Sequence, residues 1–218
     1  MHLRKVKNAS LIIEENKDVC IIDASIYKGK WKSLYPLATK IVLEIGMGKG
    51  KYLSSLAKEN KDILYLGMEK MDSVICRAIP KVKDDDLKNL LLIKSDALRL
   101  LDYFDDGEVD TIFLSFPDPW PKGRHEKRRL VSPRFLDLYK KVLSKDGTIR
   151  LKTDNENLFA YAKEVMIDRL NNPKYGVYKH ARGEATTEFE EKYLKLGKTI
   201  YFIEGSFKNE NINWYWKY

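Results

Sequence analysis

From residue 41 onward the chain alternates short continuous apolar runs with segments in which apolar residues recur every three or four positions. A run of four to eight apolar residues bounded by turn residues reads as a strand buried on both faces; the longer recurrence reads as an amphipathic helix. The runs predict strands over Ile41–Ile45, Ile63–Met68, Leu90–Lys94, Val109–Ser115 and Gly147–Lys152. The periodic segments between them predict helices over Lys51–Glu59, Asp72–Lys83, Ser132–Leu143, with Pro133 at an early helical position, and Glu156–Leu170. Strands alternating with helices specify βαβ units and a doubly wound, mostly parallel α/β sheet. Later, Tyr175–His180 and Thr199–Phe207 flank the charged run Phe189–Leu196 and predict an antiparallel pair closing one edge of that sheet. Residues 1–40 show little periodicity and read as an N-terminal arm with short elements, leaving 41–218 as one domain.

Composition narrows the picture only slightly. With 44% hydrophobic and 33% charged residues the chain can build a proper core and lies far from the disordered class. Forty Lys and Arg against thirty-two Asp and Glu give a formal charge of +8, which favours a polyanionic partner without requiring one. Cys20 and Cys76 lack the paired spacing of a metal site and read as reduced, buried thiols, so no metal is expected. No apolar stretch is long enough for a signal peptide or a membrane span, which predicts a cytoplasmic protein that does not engage a membrane.

The first predicted strand runs directly into Gly46-Met47-Gly48-Lys49-Gly50 and a helix. Glycines there permit a tight turn and close approach of a ligand to the helix N-terminus. The spacing differs from the Gly-x-Gly-x-x-Gly of dinucleotide binders. Glu44, just before the glycines, would repel a pyrophosphate but attract an ammonium or a sulfonium. That combination points to S-adenosylmethionine rather than a nicotinamide cofactor. Glu69 and Asp96 end the next two strands, on the sheet edge where open α/β sheets bind ligands. Glu69 is placed to accept ribose hydroxyls, and Asp96 the adenine amino group. Taken singly, each acid could equally be a helix cap or a solvated loop end.

After the fourth strand comes Phe116-Pro117-Asp118-Pro119-Trp120-Pro121-Lys122, whose three prolines fix the backbone. A carboxylate held in that frame beside an indole suits a nucleobase pocket facing the methyl donor. The competing reading is a rigid turn that only caps the sheet. Arg124, Lys127, Arg128 and Arg129 follow immediately, where a polyanion would arrive, and are candidate phosphate contacts.

These residues resemble the bacterial tRNA (guanine-N7-)-methyltransferases over nearly the whole chain. The likeness rests on Gly29-Lys30-Trp31, Glu44 to Gly50, Phe116 to Lys122, Lys152-Thr153-Asp154 and Thr187-Glu188-Phe189-Glu190. The resemblance implies a Rossmann-like methyltransferase fold and S-adenosylmethionine held by Glu44, Gly46, Gly48, Gly50, Glu69, Asp96 and Asp118. It implies Asp118 at the reaction centre and substrate contacts from Lys122, Asp154, Thr187 and Glu190. It also implies tRNA as partner and a guanine of the variable loop as target; apart from the resemblance, a monomer or homodimer is expected. Guanine N7 carries a lone pair and no proton, so positioning and charge stabilisation are expected to dominate, with Asp118 as acceptor and Asp154 or Glu190 as a second. An exocyclic amino-group methyltransferase, in which Asp118 would be a general base, and a non-enzymatic RNA-binding module stay open on the residues alone.

Overall fold

The computed structural model describes residues 5–179 and 186–208. Eight strands form one sheet in the order β1-β4-β3-β2-β5-β6-β8-β7. In chain order they are β1 (Cys20–Ile21), β2 (Lys40–Ile45), β3 (Ile63–Glu69), β4 (Leu90–Lys94), β5 (Val109–Ser115), β6 (Leu143–Thr153), β7 (Leu170–Tyr178) and β8 (Ile200–Phe207). β1 to β6 pair in parallel, whereas β8 lies antiparallel to both β6 and β7. The winding reverses between β2 and β5, and the crevice at their carboxyl ends is where such a sheet accepts a ligand.

Alternation along β2 explains the layers. Ile41, Leu43 and Ile45 join a core with Trp31, Tyr103, Leu136, Tyr139 and Leu158, while Val42 turns to the other face with Leu53, Ala57, Ile75 and Val82. The first face carries helices α5 (Leu100–Tyr103), α6 (Pro133–Val142) and α7 (Glu156–Met166); the second carries α1 (Ala9–Glu14), α2 (Lys51–Glu59), α3 (Asp72–Ile75) and α4 (Ile79–Asp84). A last helix, α8 (Glu188–Lys195), precedes β8.

Four boundaries depart from expectation for identifiable reasons. β6 begins at Leu143, not Gly147, because Leu143 pairs with Val109 ahead of a register shift in β5. The helix expected over Asp72–Lys83 is α3 plus α4, because Pro80 has no N–H to donate to the carbonyl of Cys76. The helix expected to reach Leu170 stops at Met166 and tightens into a 3-10 turn, Ile167–Arg169, which frees Leu170 to begin β7. β7 therefore starts earlier than Tyr175, and the predicted end at His180 lies outside the described residues. Within the first forty residues β1 extends the sheet beside β4. Trp31 is fully buried, with its indole N–H donating to the Tyr103 carbonyl at 2.8 Å and its ring stacked on Phe104. The backbone N–H groups of Gly29 and Trp31 donate to the Glu108 carboxylate, at 2.9 and 3.2 Å.

Candidate active site

The turn after β2 is anchored to the neighbouring strand, since the amides of Gly46 and Met47 both donate to the Met68 carbonyl at 2.9 and 3.2 Å. Gly48 and Gly50 adopt φ of 60° and 71°, a region that side chains disfavour. A Cβ on Gly50 would stand 3.2 Å from the Cβ of Ala78, whereas one on Gly48 would meet nothing within 4 Å. Gly50 thus serves packing, and Gly48 leaves an open face for a ligand. Behind the turn Glu44 is 1% exposed, and its Oε2 has no hydrogen-bond partner among the described residues. Burial pushes its carboxyl up to about 8; the Ser115 hydroxyl and the Lys152 ammonium pull the other way, and Glu69 adds to the rise. A buried carboxyl with an oxygen to spare fits a ligand that brings a cation.

Glu69 closes β3 with Oε1 accepting the amides of Lys70 and Met71, both at 2.9 Å. Burial still raises its carboxyl, the Lys70, Met71 and Gly48 amides oppose the rise, and the charge of Asp118 adds to it. Asp96 caps the 3-10 turn Ala97–Arg99 through Leu98 N at 2.9 Å and pairs with Lys70 Nζ at 2.6 Å. Burial works against its charge, but these two donors outweigh it and hold the carboxyl below the ordinary range. Glu44 therefore senses the charge of Glu69, and Glu69 that of Asp118, across the strand ends, and Lys70 ties Asp96 to the same edge.

The loop after β5 is braced at both ends. Phe116 and Trp120 take left-handed backbones, φ 52° and 42°, and Phe116 N donates to the Lys152 carbonyl at 2.8 Å. The Arg129 guanidinium donates to the carbonyls of Pro119 and Trp120 and lies 4.3 Å over the Tyr161 ring. Trp120 packs edge-on to His125, with Arg128 over its face at 5.0 Å. Asp118, framed between two prolines, is exposed to solvent. Lys122 leads into a 3-10 helix, Gly123–Arg128, on which Arg124 and Lys127 project into solvent. Of the four basic residues expected at the phosphates, Arg129 is spent on the loop itself and Arg128 is shared with Trp120.

α8 packs against the glycine turn, α2, α4 and the end of β6. Thr187 and Glu190 have capping-box spacing, and the Thr187 hydroxyl accepts from Glu190 N at 2.9 Å. The Glu190 carboxylate is buried, pairing with the equally buried Lys152 ammonium at 3.2 Å and accepting from the Tyr178 hydroxyl. Asp154 pairs with Lys198 at 2.9 Å. Glu188 takes Lys49 and Lys81 at 2.8 and 2.9 Å, and Glu191 takes Lys51 at 2.6 Å, so α8 is sewn onto the glycine turn and its helix. Sequence reasoning assigned no role to Lys152 or to these three lysines. The signal was slight: a lysine amid Ile149, Leu151 and Thr153 near the end of a buried strand.

Three comparisons bear on this arrangement. Residues 38–203 match the family described as putative methyltransferase. The chain is 40% identical over 215 residues to the tRNA (guanine-N(7)-)-methyltransferase of Bacillus subtilis strain 168, covering 94% of this chain and 98% of that one. The protein of the same name from Streptococcus pneumoniae strain 70585 is 39% identical over 95% of this chain and its whole length. In fold the chain is similar to the 16S rRNA methyltransferase KamB, with TM-score 0.64, 15% identity and coverage of 83% and 93%. It is also similar to a SAM-dependent methyltransferase from Aquifex aeolicus, with TM-score 0.53, 18% identity and coverage of 92% and 98%. With the strand order, the glycine turn and near-complete coverage in agreement, the chain belongs to the tRNA (guanine-N(7)-)-methyltransferase family.

Proposed function

We propose that this protein transfers a methyl group from S-adenosylmethionine to N7 of a guanine in the variable loop of tRNA. The observation that carries the reading is the grouping of Glu44, Glu69 and Asp118 at the β2/β5 switch point, with Asp96 tied in through Lys70. The names of the relatives support the substrate and the position of attack. Glu44 offers its free oxygen to the amino-acid ammonium of the methyl donor, Glu69 the ribose, and Asp96 the adenine amino group; Gly46, Gly48 and Gly50 let the backbone approach. When bound, that donor supplies an electrophilic methyl on a positively charged sulfur.

The chain's own contribution is alignment and charge. Guanine N7 forms the new bond with its in-plane lone pair as the carbon–sulfur bond breaks with its electrons kept on sulfur, and positive charge passes to the purine. Its N1–H and amino group become stronger donors, so an acceptor on that edge binds the transition state better than the ground state. Asp118 is that acceptor, with Asp154 as the second, and Lys122 completes the substrate pocket; Glu190 and Thr187, also expected at the substrate, are buried and taken up by Lys152, Tyr178 and the helix cap, so they position α8 instead. Arg124, Lys127 and Arg128 contact tRNA phosphates. The reading is tested by incubating unmodified tRNA with donor labelled in its methyl group and mapping the labelled nucleoside. The label is expected as 7-methylguanosine in the variable loop; label on an exocyclic amino group, or none, refutes it.

A further inference from the structure

The carboxyl-edge crevice carries a cluster of three aromatic rings to which the mechanism above gives no role. Phe116 begins the Asp118 loop, and Phe189 and Tyr193 stand one turn apart on α8. Their ring centres are 6.4 Å apart for Phe116 and Phe189, 5.7 Å for Phe116 and Tyr193, and 6.0 Å for Phe189 and Tyr193. Phe189 remains 49% exposed. The cluster bridges the two carboxylates expected at the base. Phe116 lies two residues from Asp118, and Tyr193 is covered at 4.3 Å by Lys198, the partner of Asp154. Trp120, the other aromatic candidate, already carries Arg128 on one face and His125 against its ring.

The geometry points to Phe189, backed by Tyr193 and Phe116, as the face on which the target purine stacks, and to its ring as a specific stabiliser of the charge that methylation creates. The inference rests on the guanine-N7 reading. A single exposed apolar residue on a surface means nothing by itself. Here the open ring belongs to a preformed cluster of three mutually tilted rings beside both expected acceptors, and an extruded base needs a surface to replace its lost stacking. The electron-rich face of an aromatic ring attracts cations. The purine is neutral before transfer and cationic after it, so the attraction grows along the reaction coordinate as catalysis requires.

The test compares binding of the full chain to unmodified tRNA and to the same tRNA carrying 7-methylguanosine, near pH 6, where the methylated base keeps its N1 proton and its charge. Variants are Phe189→Leu and the full chain with mono-, di- and pentafluorophenylalanine at position 189, which keep ring size while draining its electron density. The preference for methylated tRNA is expected to shrink stepwise across the fluorinated series, by about two- to thirty-fold overall. Phe189→Leu should weaken both tRNAs and lose that preference as well. A flat series, or equal losses for both tRNAs in every variant, overturns the cation-stabilising face. Because the fluorinated rings are near-isosteric, they remain informative if the leucine variant folds poorly. Should the wild type yield no 7-methylguanosine in the nucleoside mapping, both readings fall; normal product with a flat series removes this one alone.

Discussion

Glu44 offers the sharpest quantitative expectation. In the free protein burial holds its carboxyl near 8, so the group carries a proton at neutral pH. A bound ammonium would bring it back toward the ordinary value of 4.5, and the proton would leave as the methyl donor arrives. Apparent affinity should therefore rise tenfold per pH unit below 8, or about thirty-fold between pH 5.5 and pH 7. The window stops there because the donor's own amino group begins to lose its proton near pH 7.7 to 8.0. Titration calorimetry near pH 6.5, in two buffers of different ionisation enthalpy, should report close to one proton released. Glu44→Gln should bind more weakly at pH 7, with neither the release nor the slope. The free protein gives a second readout. A carboxyl whose folded pKa is raised contributes stability that is present below its unfolded value and lost progressively as pH rises toward 8. The unliganded melting temperature should fall across that interval, and Glu44→Gln should flatten the fall. Buffer-independent enthalpies and a pH-independent affinity would falsify the assignment of Glu44 to the ammonium.

Other expectations follow from the same arrangement. Asp118→Asn should lower kcat by about 10² to 10³, the usual cost of one preorganised electrostatic contact; with both substrates saturating, the wild-type single-turnover rate should stay nearly flat over moderate pH. Wild-type rates in the asparagine variant would end that role, and a steep acidic limb abolished by it would make Asp118 a base. Neutralising Arg124, Lys127 and Arg128 should flatten the salt dependence of tRNA binding by about 0.7 to 0.9 in log–log slope for each phosphate the variant leaves unneutralised. Arg129→Ala should instead reduce turnover and loop order, because its guanidinium holds two loop carbonyls; an effect confined to the salt slope would contradict that. Glu190→Gln strands the buried Lys152 ammonium and should cost about 3–5 kcal/mol in urea unfolding, and a loss under about 1 kcal/mol would show that the pair is relieved by water.

The parallel strands were legible because a strand buried on both faces writes itself as a continuous apolar run; β4 and β5 have the bounds expected, and β2 and β3 differ by one residue. β1 was not legible, since two residues carry no period and Cys20–Ile21 becomes a strand only through its pairing with Leu92 and Ile93. The acids at the strand ends could be placed because topology alone brings those ends to one edge. Individual partners could not. A run such as Arg124 to Arg129 gives no sign that its last guanidinium turns inward toward Tyr161 while Arg124 and Lys127 face water. Glu190 illustrates the same limit: its spacing from Thr187 predicts a cap, and only the fold shows that its carboxylate goes to Lys152, 38 residues away.

The position of β8 carries a consequence for synthesis on the ribosome. This strand sits between β6 and β7, so a nascent chain that has emerged through residue 179 can align β1 to β6 but must leave the Thr148 to Thr153 edge of β6 unpaired. The contacts of α8 with the glycine turn wait as well, joining residues 139 and 140 positions apart. Long-range closures of this kind slow folding, and an open strand edge is a template for another chain. The interval between translating the sixth and eighth strands is thus when this protein is most exposed to aggregation.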